Sequence, residues 1–123
     1  MITSNSTGYK AFTATAAALA ANVRVVLGSG GTISVAGAAD IGIGVTIAVI
    51  PASGIGTIKL WSAPGTFLMT ADGAITIGAV LYFTHEGKVD DTGTYKANMI
   101  SLDTAGADGD VIECARINGG VAL

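Results

Sequence analysis

The amino-acid sequence predicts an all-β protein: a small barrel or sandwich of short antiparallel strands, with an extended N-terminal arm and at most one short helix. The first observation is a series of short runs rich in Val, Ile and Thr, which recur at a spacing of roughly 8–12 residues. The second is the turn chemistry between the runs, to which many of the 18 glycines contribute. The third is a composition of 50% hydrophobic but only 6% aromatic residues, so the apolar side chains are mostly small or β-branched.

The N-terminal region differs from the rest of the chain. Residues 1–10 are polar, rich in Ser and Thr and without helical periodicity, which indicates an extended arm. Residues 11–22 hold most of the helix-favouring alanines, but their threonines and the lack of a charged face leave a short helix and a connecting loop equally open. We expect residues 11–123 to form a single β domain.

The strand predictions begin with a hairpin. Residues 23–27 (VRVVL) and 32–36 (TISVA) are separated by a glycine-rich turn, which is typical of two antiparallel strands. In residues 57–61, Ile58 and Leu60 alternate with polar neighbours and therefore share one face. Further strands are predicted in residues 43–50, 66–70, 74–77, 79–84 and 110–117.

An internal duplication is suggested by two similar segments. Residues 47–58 match residues 100–111 at a constant shift of about 53 residues, and each copy follows a hairpin-like unit, residues 26–35 and 81–90. The alternative is that similar strand-turn-strand units simply look alike, because Ala, Gly and Val are common throughout this chain.

Charge and hydropathy exclude several classes of partner. The net charge of −3 and the scattered positions of six basic residues argue against nucleic acid, which needs basic residues gathered on one face. Mean hydropathy is +0.63, yet every long apolar run is broken by polar residues or glycine, so no membrane partner is expected. Only 12% of the residues are charged, and the apolar surface that this leaves predicts a subunit of an assembly.

The single histidine is a candidate catalytic residue. His85 has three acidic neighbours in sequence, Glu86, Asp90 and Asp91, but adjacent residues of a strand point to opposite faces, so Glu86 is badly placed to orient the imidazole. We interpret His85 as an exposed turn residue. The single Cys114 alternates with Ile112 and has no base near it in sequence, which favours a packed side chain over a nucleophile.

Cofactor and metal motifs are also missing from the sequence. No Gly-Lys-Ser/Thr follows any of the three Gly-X-Gly pairs, which favours turn glycines over a phosphate loop. Asp103, Asp108 and Asp110 resemble a loose calcium loop but lack a bidentate Glu at the required spacing, so a solvated acidic turn is favoured over a weak ion site. We therefore expect neither an enzyme nor a cofactor. Trp61, the sole tryptophan, either caps a core or serves as an interface anchor.

The order and spacing of the motifs resemble those of the cement, or head decoration, proteins of tailed bacteriophages, which are small Ala- and Gly-rich proteins encoded beside the major capsid protein. The resemblance spans about residues 11–117, and one departure is Asn98-Met99, where the family often has Gly-Val. It is carried by residues 12–21 (FTATAAALAA), 23–27, 38–45 (AADIGIGV), 73–82 (GAITIGAVLY), 86–90 (EGKVD) and 105–113 (AGADGDVIE).

The resemblance implies a β-rich protomer that is made in the bacterial cytoplasm and assembles as a homotrimer on the outer surface of the phage head. Its partner would be the major capsid protein at threefold or quasi-threefold sites, where it would stabilise the expanded capsid. An N-terminal arm is suited to adding a strand to a sheet edge of the capsid protein. The predicted arm residues are Ile2, Thr3, Ser4, Asn5, Ser6, Thr7, Tyr9 and Phe12.

A β-sandwich module of a fibre or adhesin, which binds carbohydrate or a host surface, is the alternative function. The scarcity of aromatic residues argues against it, because sugar-binding platforms need exposed Trp and Tyr. A glycan array or a cell-binding assay would distinguish this alternative from a cement protein.

Overall fold

The computed structural model describes residues 7–117, and its regular structure is ten β-strands and one short 3₁₀ turn at His85–Gly87. The first five strands close into a barrel in the order β1-β3-β2-β4-β5, in which β1 is parallel to β3 and antiparallel to β5. These strands are β1 Tyr9–Ala14, β2 Arg24–Leu27, β3 Thr32–Val35, β4 Gly44–Thr46 and β5 Ile55–Leu60. The all-β prediction is confirmed.

The second five strands form a curled sheet in the order β6-β10-β9-β7-β8. A single parallel bridge between Ala71 and Val89 joins the end of β6 to β8, so this sheet also curls almost to closure. The strands are β6 Phe67–Thr70, β7 Val80–Phe83, β8 Val89–Asp90, β9 Tyr95–Ser101 and β10 Val111–Arg116.

Each group of five strands surrounds its own apolar core. The buried side chains of the first core are all aliphatic: Ala14, Leu19, Val25, Ile33, Ile50 and Ile58. The second core is larger and contains most of the buried sulfur and aromatic side chains: Phe67, Met69, Leu81, Phe83, Met99, Ile112 and Cys114. Val45 of the first group packs into the second core, so the two groups are in direct contact.

The two groups of strands are an internal repeat. Each pairing in the first group has its counterpart in the second: β1 corresponds to β6, β2 to β7, β3 to β8, β4 to β9 and β5 to β10. In the hairpins, the pair Leu27–Ile33 corresponds to the pair Phe83–Val89, an offset of 56 residues. We call residues 9–61 repeat 1 and residues 66–117 repeat 2.

The loops repeat as well as the strands. Asn22 N donates to Thr46 O (3.0 Å), and Gly78 N donates to Ser101 O (2.7 Å) at the equivalent place, each donor residue having a left-handed backbone. Reciprocal main-chain bonds join Leu19 to Ile50 in repeat 1 and Ile75 to Ala105 in repeat 2. The duplication is therefore present.

The register predicted for this duplication was wrong. A shift of 53 residues would match Ile47 with Ile100, whereas the structure matches Val45 with Ile100. The reason is that Val45 pairs with Arg24 in repeat 1, and Ile100 pairs with the equivalent residue, Val80, in repeat 2. Loops of unequal length account for the change, since the offset is 57 residues at β1, 56 in the hairpins and 55 at β4.

Several predicted boundaries also change. Residues 11–22 contain the end of β1 and then an irregular segment, so the helical alternative is wrong, and the predicted end of the arm at residue 10 lies inside β1. Only Gly44–Thr46 of the predicted strand 43–50 is a strand, and residues 74–77 contribute a single bridge at Ile75. Within residues 7–117, no helix has the length and hydrophobicity needed to cross a membrane.

Candidate functional site

The most elaborate arrangement of side chains lies at the seam, which we define as the contact surface between repeat 1 and repeat 2. At its centre is Arg24, which is fully buried although it is charged. Its guanidinium donates only to main-chain carbonyls, two in each repeat. The acceptors are the oxygens of Asp40 (2.8 Å), Gly37 (2.7 Å), Lys88 (3.2 Å) and Thr84 (3.3 Å).

The same guanidinium lies over the ring of Phe83, 3.9 Å from its centroid. Burial lowers the pKa of Arg24 to about 10, and the nearby charge of Asp40 acts in the opposite direction. With its donors bound to carbonyls and one face covered by an aromatic ring, Arg24 is a structural connection rather than an anion-binding group. In the sequence, Arg24 is one of six scattered basic residues, and the one signal of its role is that it is a single charge within an apolar strand.

Trp61 also lies in the seam, at the start of the connection between the repeats. Its half-buried ring meets Phe67 edge-on (centroids 5.2 Å apart) and stacks on Phe83 (6.2 Å). Its indole N–H donates to Gly42 O at 3.1 Å, and its own carbonyl accepts a bond from Arg116. Trp61 therefore anchors repeat 2 to repeat 1 within the chain, while a role as an anchor between molecules stays a prediction.

An open cavity of about 150 Å³ lies beside Trp61. Its lining includes the apolar side chains of Ile41, Met99 and Ile117 and the two cations Lys96 and Arg116. The two cations are exposed, and Arg116 already donates to the carbonyls of the connection, so the described lining offers no buried polar group to orient a small ligand.

Exposed apolar side chains are numerous for so small a protein. Ile41, Val49 and Ile55 each expose about two-thirds or more of their surface (67%, 69% and 73%). Other large apolar side chains that are at least a third exposed are Leu27, Val35, Ile47, Leu68, Ile77, Leu102 and Val111. Where such side chains lie together in a patch, they are typical of surfaces that bind other proteins.

The predicted arm is only partly covered by the described residues. Ile2, Thr3, Ser4, Asn5 and Ser6 lie outside them. Tyr9 and Phe12 belong to β1, which is paired with β5 along its length and with β3 at its end, so they are not part of a free arm. Phe12 packs on the core of repeat 1, and Tyr9 is 40% exposed on the barrel wall. Thr7 is separated from this strand by Gly8.

His85 and the acidic turn each make local contacts. His85 is exposed and has Asp72 at 3.4 Å, rather than any of its neighbours in sequence. Asp110 accepts bonds from the main-chain N–H groups of Gly106 and Ala107, whereas Asp108 pairs with Lys88 at 2.9 Å. Residues 7–117 contain no group of three or more metal-ligating side chains.

Cys114 is a packed core residue. Its side chain is fully buried on β10, and burial raises the pKa of the thiol to about 12, with smaller contributions from the charges of Asp103 and Glu113. A neutral, inaccessible thiol agrees with the interpretation of Cys114 as a small apolar side chain.

No family model matches the sequence, and no curated protein matches it. Among solved structures, the head fibre gp8.5 N base of bacteriophage phi29 has a similar fold, with a TM-score of 0.71 and 16% sequence identity. The similarity covers 86% of this chain and 92% of the head fibre base. At this identity the comparison establishes the fold, which the chain shares with a structural protein of a phage virion.

Proposed function

We propose that this chain is a structural protein of a bacteriophage virion, which decorates the outer surface of the head and stabilises the expanded capsid as a cement protein. Its partner would be the major capsid protein, and it would act as a homotrimer, without nucleic acid, membrane, cofactor or catalysis. The observation that supports this most strongly is the fold, shared over nearly the whole length of both chains with the base of a phage head fibre.

The surface of the molecule supports the same proposal. Its exposed large apolar side chains suit binding to other proteins. A small domain with few surface charges gains stability when these apolar side chains are buried in an assembly. Its acidic balance is compatible with the outside of a head, where it would not contact packaged DNA. Among residues 7–117, the acidic side chains Asp108 and Asp110 are engaged in local contacts, and no group of three or more metal-ligating side chains is present.

The decisive experiment is binding to undecorated, expanded heads assembled from the capsid protein of the phage that encodes this chain. The purified protein is mixed with heads, and bound protein is measured after sedimentation as a function of concentration. We expect saturable retention at a simple multiple of three copies per capsid hexamer and an increased temperature of head disruption. Heads that stay bare at saturating protein would exclude the proposal.

The arm is tested in the same assay. Deletion of residues 2–6 leaves β1 intact, and we expect the shortened protein to fold but to bind heads more weakly, because strand addition would be lost. Head binding of wild-type strength by the shortened protein would exclude the arm and leave the exposed apolar surface as the contact.

A second function is a module of a fibre that binds a host surface or carbohydrate, and the observation that favours it is that the similar structure belongs to a fibre. Tyr9 and Tyr95 are the aromatic side chains that expose more than a third of their surface among residues 7–117. Binding to host cells or to a glycan array, together with indifference to heads, would establish this function instead.

A further inference from the structure

The seam joins two different surfaces, one from each repeat. Face A belongs to repeat 1 and face B to repeat 2. The residues of face A are Asn22, Val23, Arg24, Val45, Lys59 and Trp61; those of face B are Phe67, Thr70, Phe83, Thr84, Gly87 and Lys88.

The contacts between face A and face B are specific. Thr70 donates from its main-chain N–H (2.9 Å) and from its hydroxyl (3.0 Å) to Asn22 O. Arg24 stacks on Phe83, and the close approach of Gly87 to the main chain of Arg24 leaves no room for a side chain, since a Cβ on Gly87 would lie 2.6 Å from Arg24 O. The repeats therefore pack head to tail, in a heterologous rather than a twofold-related contact.

Because the repeats share one fold, each face has a counterpart on the other repeat. The counterpart of face A lies on repeat 2, and we call it face A′: Gly78, Ala79, Val80, Ile100, Ala115 and Ile117. The counterpart of face B lies on repeat 1, and we call it face B′: Lys10, Thr13, Leu27, Gly28, Gly31 and Thr32.

Burial differs sharply between equivalent positions. Phe83 in face B is 5% exposed, whereas its counterpart Leu27 in face B′ is 46% exposed. Arg24 in face A is fully buried, whereas its counterpart Val80 in face A′ is only half-buried. The fold thus builds the same two faces twice but uses one copy of each within the chain.

The unused faces are chemically matched. At the position where Arg24 meets Phe83 in the seam, face A′ offers Val80 and face B′ offers Leu27, so an apolar pair replaces a cation on a ring. Face A′ also presents Ile100 and Ile117, both half-buried, where face A has Val45 and Trp61. No charge stands opposite a like charge, since the one charged residue in these faces is Lys10.

We propose that face A′ of one copy binds face B′ of the next copy, in a contact that repeats the geometry of the intrachain seam. The partner is a second copy of this chain. A heterologous contact of this kind either closes into a ring or continues as a filament. A closed ring of three copies would contain six repeats, two from each chain. The inference names the surfaces of the homotrimer in the proposed function, and it is tested separately from head binding.

The test uses full-length protein and measures mass by light scattering, with sedimentation velocity for mixtures. The wild-type protein is expected at a multiple of its monomer mass of 12.1 kDa. Leu27→Asp places a charge in face B′, and Val80→Lys places one in face A′, and each variant alone should be a folded monomer. The control is Val49→Asp, which alters a side chain that is 69% exposed and outside all four faces, and it should keep the wild-type mass.

Mixing the two single variants distinguishes this contact from a twofold-related one. The Leu27→Asp variant retains an intact face A′, and the Val80→Lys variant retains an intact face B′, so one good contact forms per pair. We expect the mixture to regain masses above a dimer, because the intact faces bind each other and the two substituted faces carry opposite charges. The double variant in one chain should regain higher mass for the same reason. A twofold contact would instead stop at a dimer, in the wild-type protein and in the mixture alike.

The outcomes separate the two proposals. A wild-type protein that stays monomeric at high concentration, or an oligomer that persists in both single variants, would overturn the head-to-tail contact. Dispersal by the Val49→Asp control would overturn it too, because the contact would then lie elsewhere. An oligomer that behaves as predicted but never binds heads would leave this inference standing and remove the decoration role.

Discussion

The guanidinium of Arg24 stacks on the ring of Phe83 across the seam, 3.9 Å from its centroid, and joins the first half of the chain to the second. The two residues belong to equivalent hairpins but not to equivalent positions, since Arg24 begins β2 and Phe83 ends β7. This offset results from the head-to-tail packing of the two repeats. Arg24 is the residue on which the association of the repeats most depends.

Arg24→Met should destabilise the protein by about 3 kcal/mol, because carbonyls of both repeats lose their donor inside a buried site. Arg116→Met is the matched control, since Arg116 also donates to main-chain carbonyls but is exposed, and it should cost less than about 1 kcal/mol. Urea unfolding of both variants measures the difference. Equal losses would show that burial at the seam does not set the cost.

Gly44 lies where two strands approach too closely for any side chain. A Cβ at this position would lie 2.1 Å from Lys59 O and 2.8 Å from the Cα of Leu60, both in the main chain of the neighbouring strand β5. Gly44→Ala should therefore cost more than about 3 kcal/mol or prevent folding.

The control is Gly30→Ala, because nothing lies within 4 Å of a Cβ at Gly30. This change should be neutral or stabilise by up to about 1 kcal/mol through the unfolded chain. Thermal unfolding followed by circular dichroism compares the two variants. A tolerant Gly44→Ala would mean that β4 can move away from β5.

Local sequence predicts strands well where alternation is regular and poorly where a strand is irregular. The hairpin of β2 and β3 was predicted because both of its strands carry β-branched runs around a glycine turn. Strand β9, Tyr95–Ser101, was missed because Asn98 has a left-handed backbone inside it and the register with β7 shifts, which interrupts the period of two. Residues 43–50 looked like one long strand, yet Ile47 and Val49 are exposed beyond the end of β4.

The contacts of the seam could not be predicted from the sequence, for a different reason. Arg24 shares a face of β2 with Val26, so alternation alone suggests a solvent-facing position. Its burial comes from Phe83, Thr84 and Lys88, which are about 60 residues away along the chain. The duplication was visible in the sequence, but its register depended on loop lengths that only the strand pairing determines.

Cys114 should be unreactive in the native protein. Burial raises the pKa of its thiol from 9.0 to about 12, so at pH 8 the thiolate is scarce as well as inaccessible. A disulfide reagent should label less than one-tenth of the protein at pH 8 in native buffer and all of it in denaturant, and Cys114→Ala should abolish the signal. Rapid native labelling would show that β10 opens readily.

The same shift predicts a dependence of stability on alkaline pH. The folded state holds the thiol proton up to about pH 12, whereas the unfolded chain releases it near pH 9, so the unfolded state binds fewer protons between these values. The contribution of Cys114 to stability is therefore constant below about pH 9 and falls as the pH rises from about 9 to about 12. The difference in unfolding free energy between the wild-type protein and Cys114→Ala should decrease over this range.

Substitution of Trp61 should lower the free energy of unfolding rather than weaken binding directly. Trp61→Phe keeps an aromatic ring beside Phe67 and Phe83 but removes the indole N–H that donates to Gly42 O, which should cost about 1 kcal/mol. Trp61→Ala also removes the ring contacts and should cost about 3 kcal/mol. Tyr95→Leu, at a 45% exposed aromatic position, is the control and should change the unfolding free energy by less than about 0.5 kcal/mol.

The two roles considered for Trp61 separate in the head-binding assay. Because its ring is engaged across the seam, the folded Trp61→Phe variant should bind heads with wild-type affinity at a temperature well below its unfolding transition. Circular dichroism monitors folding, since the variant lacks tryptophan fluorescence, and sedimentation with heads monitors binding. A variant that is fully folded but binds heads tenfold more weakly would instead identify Trp61 as a contact between the protein and the capsid.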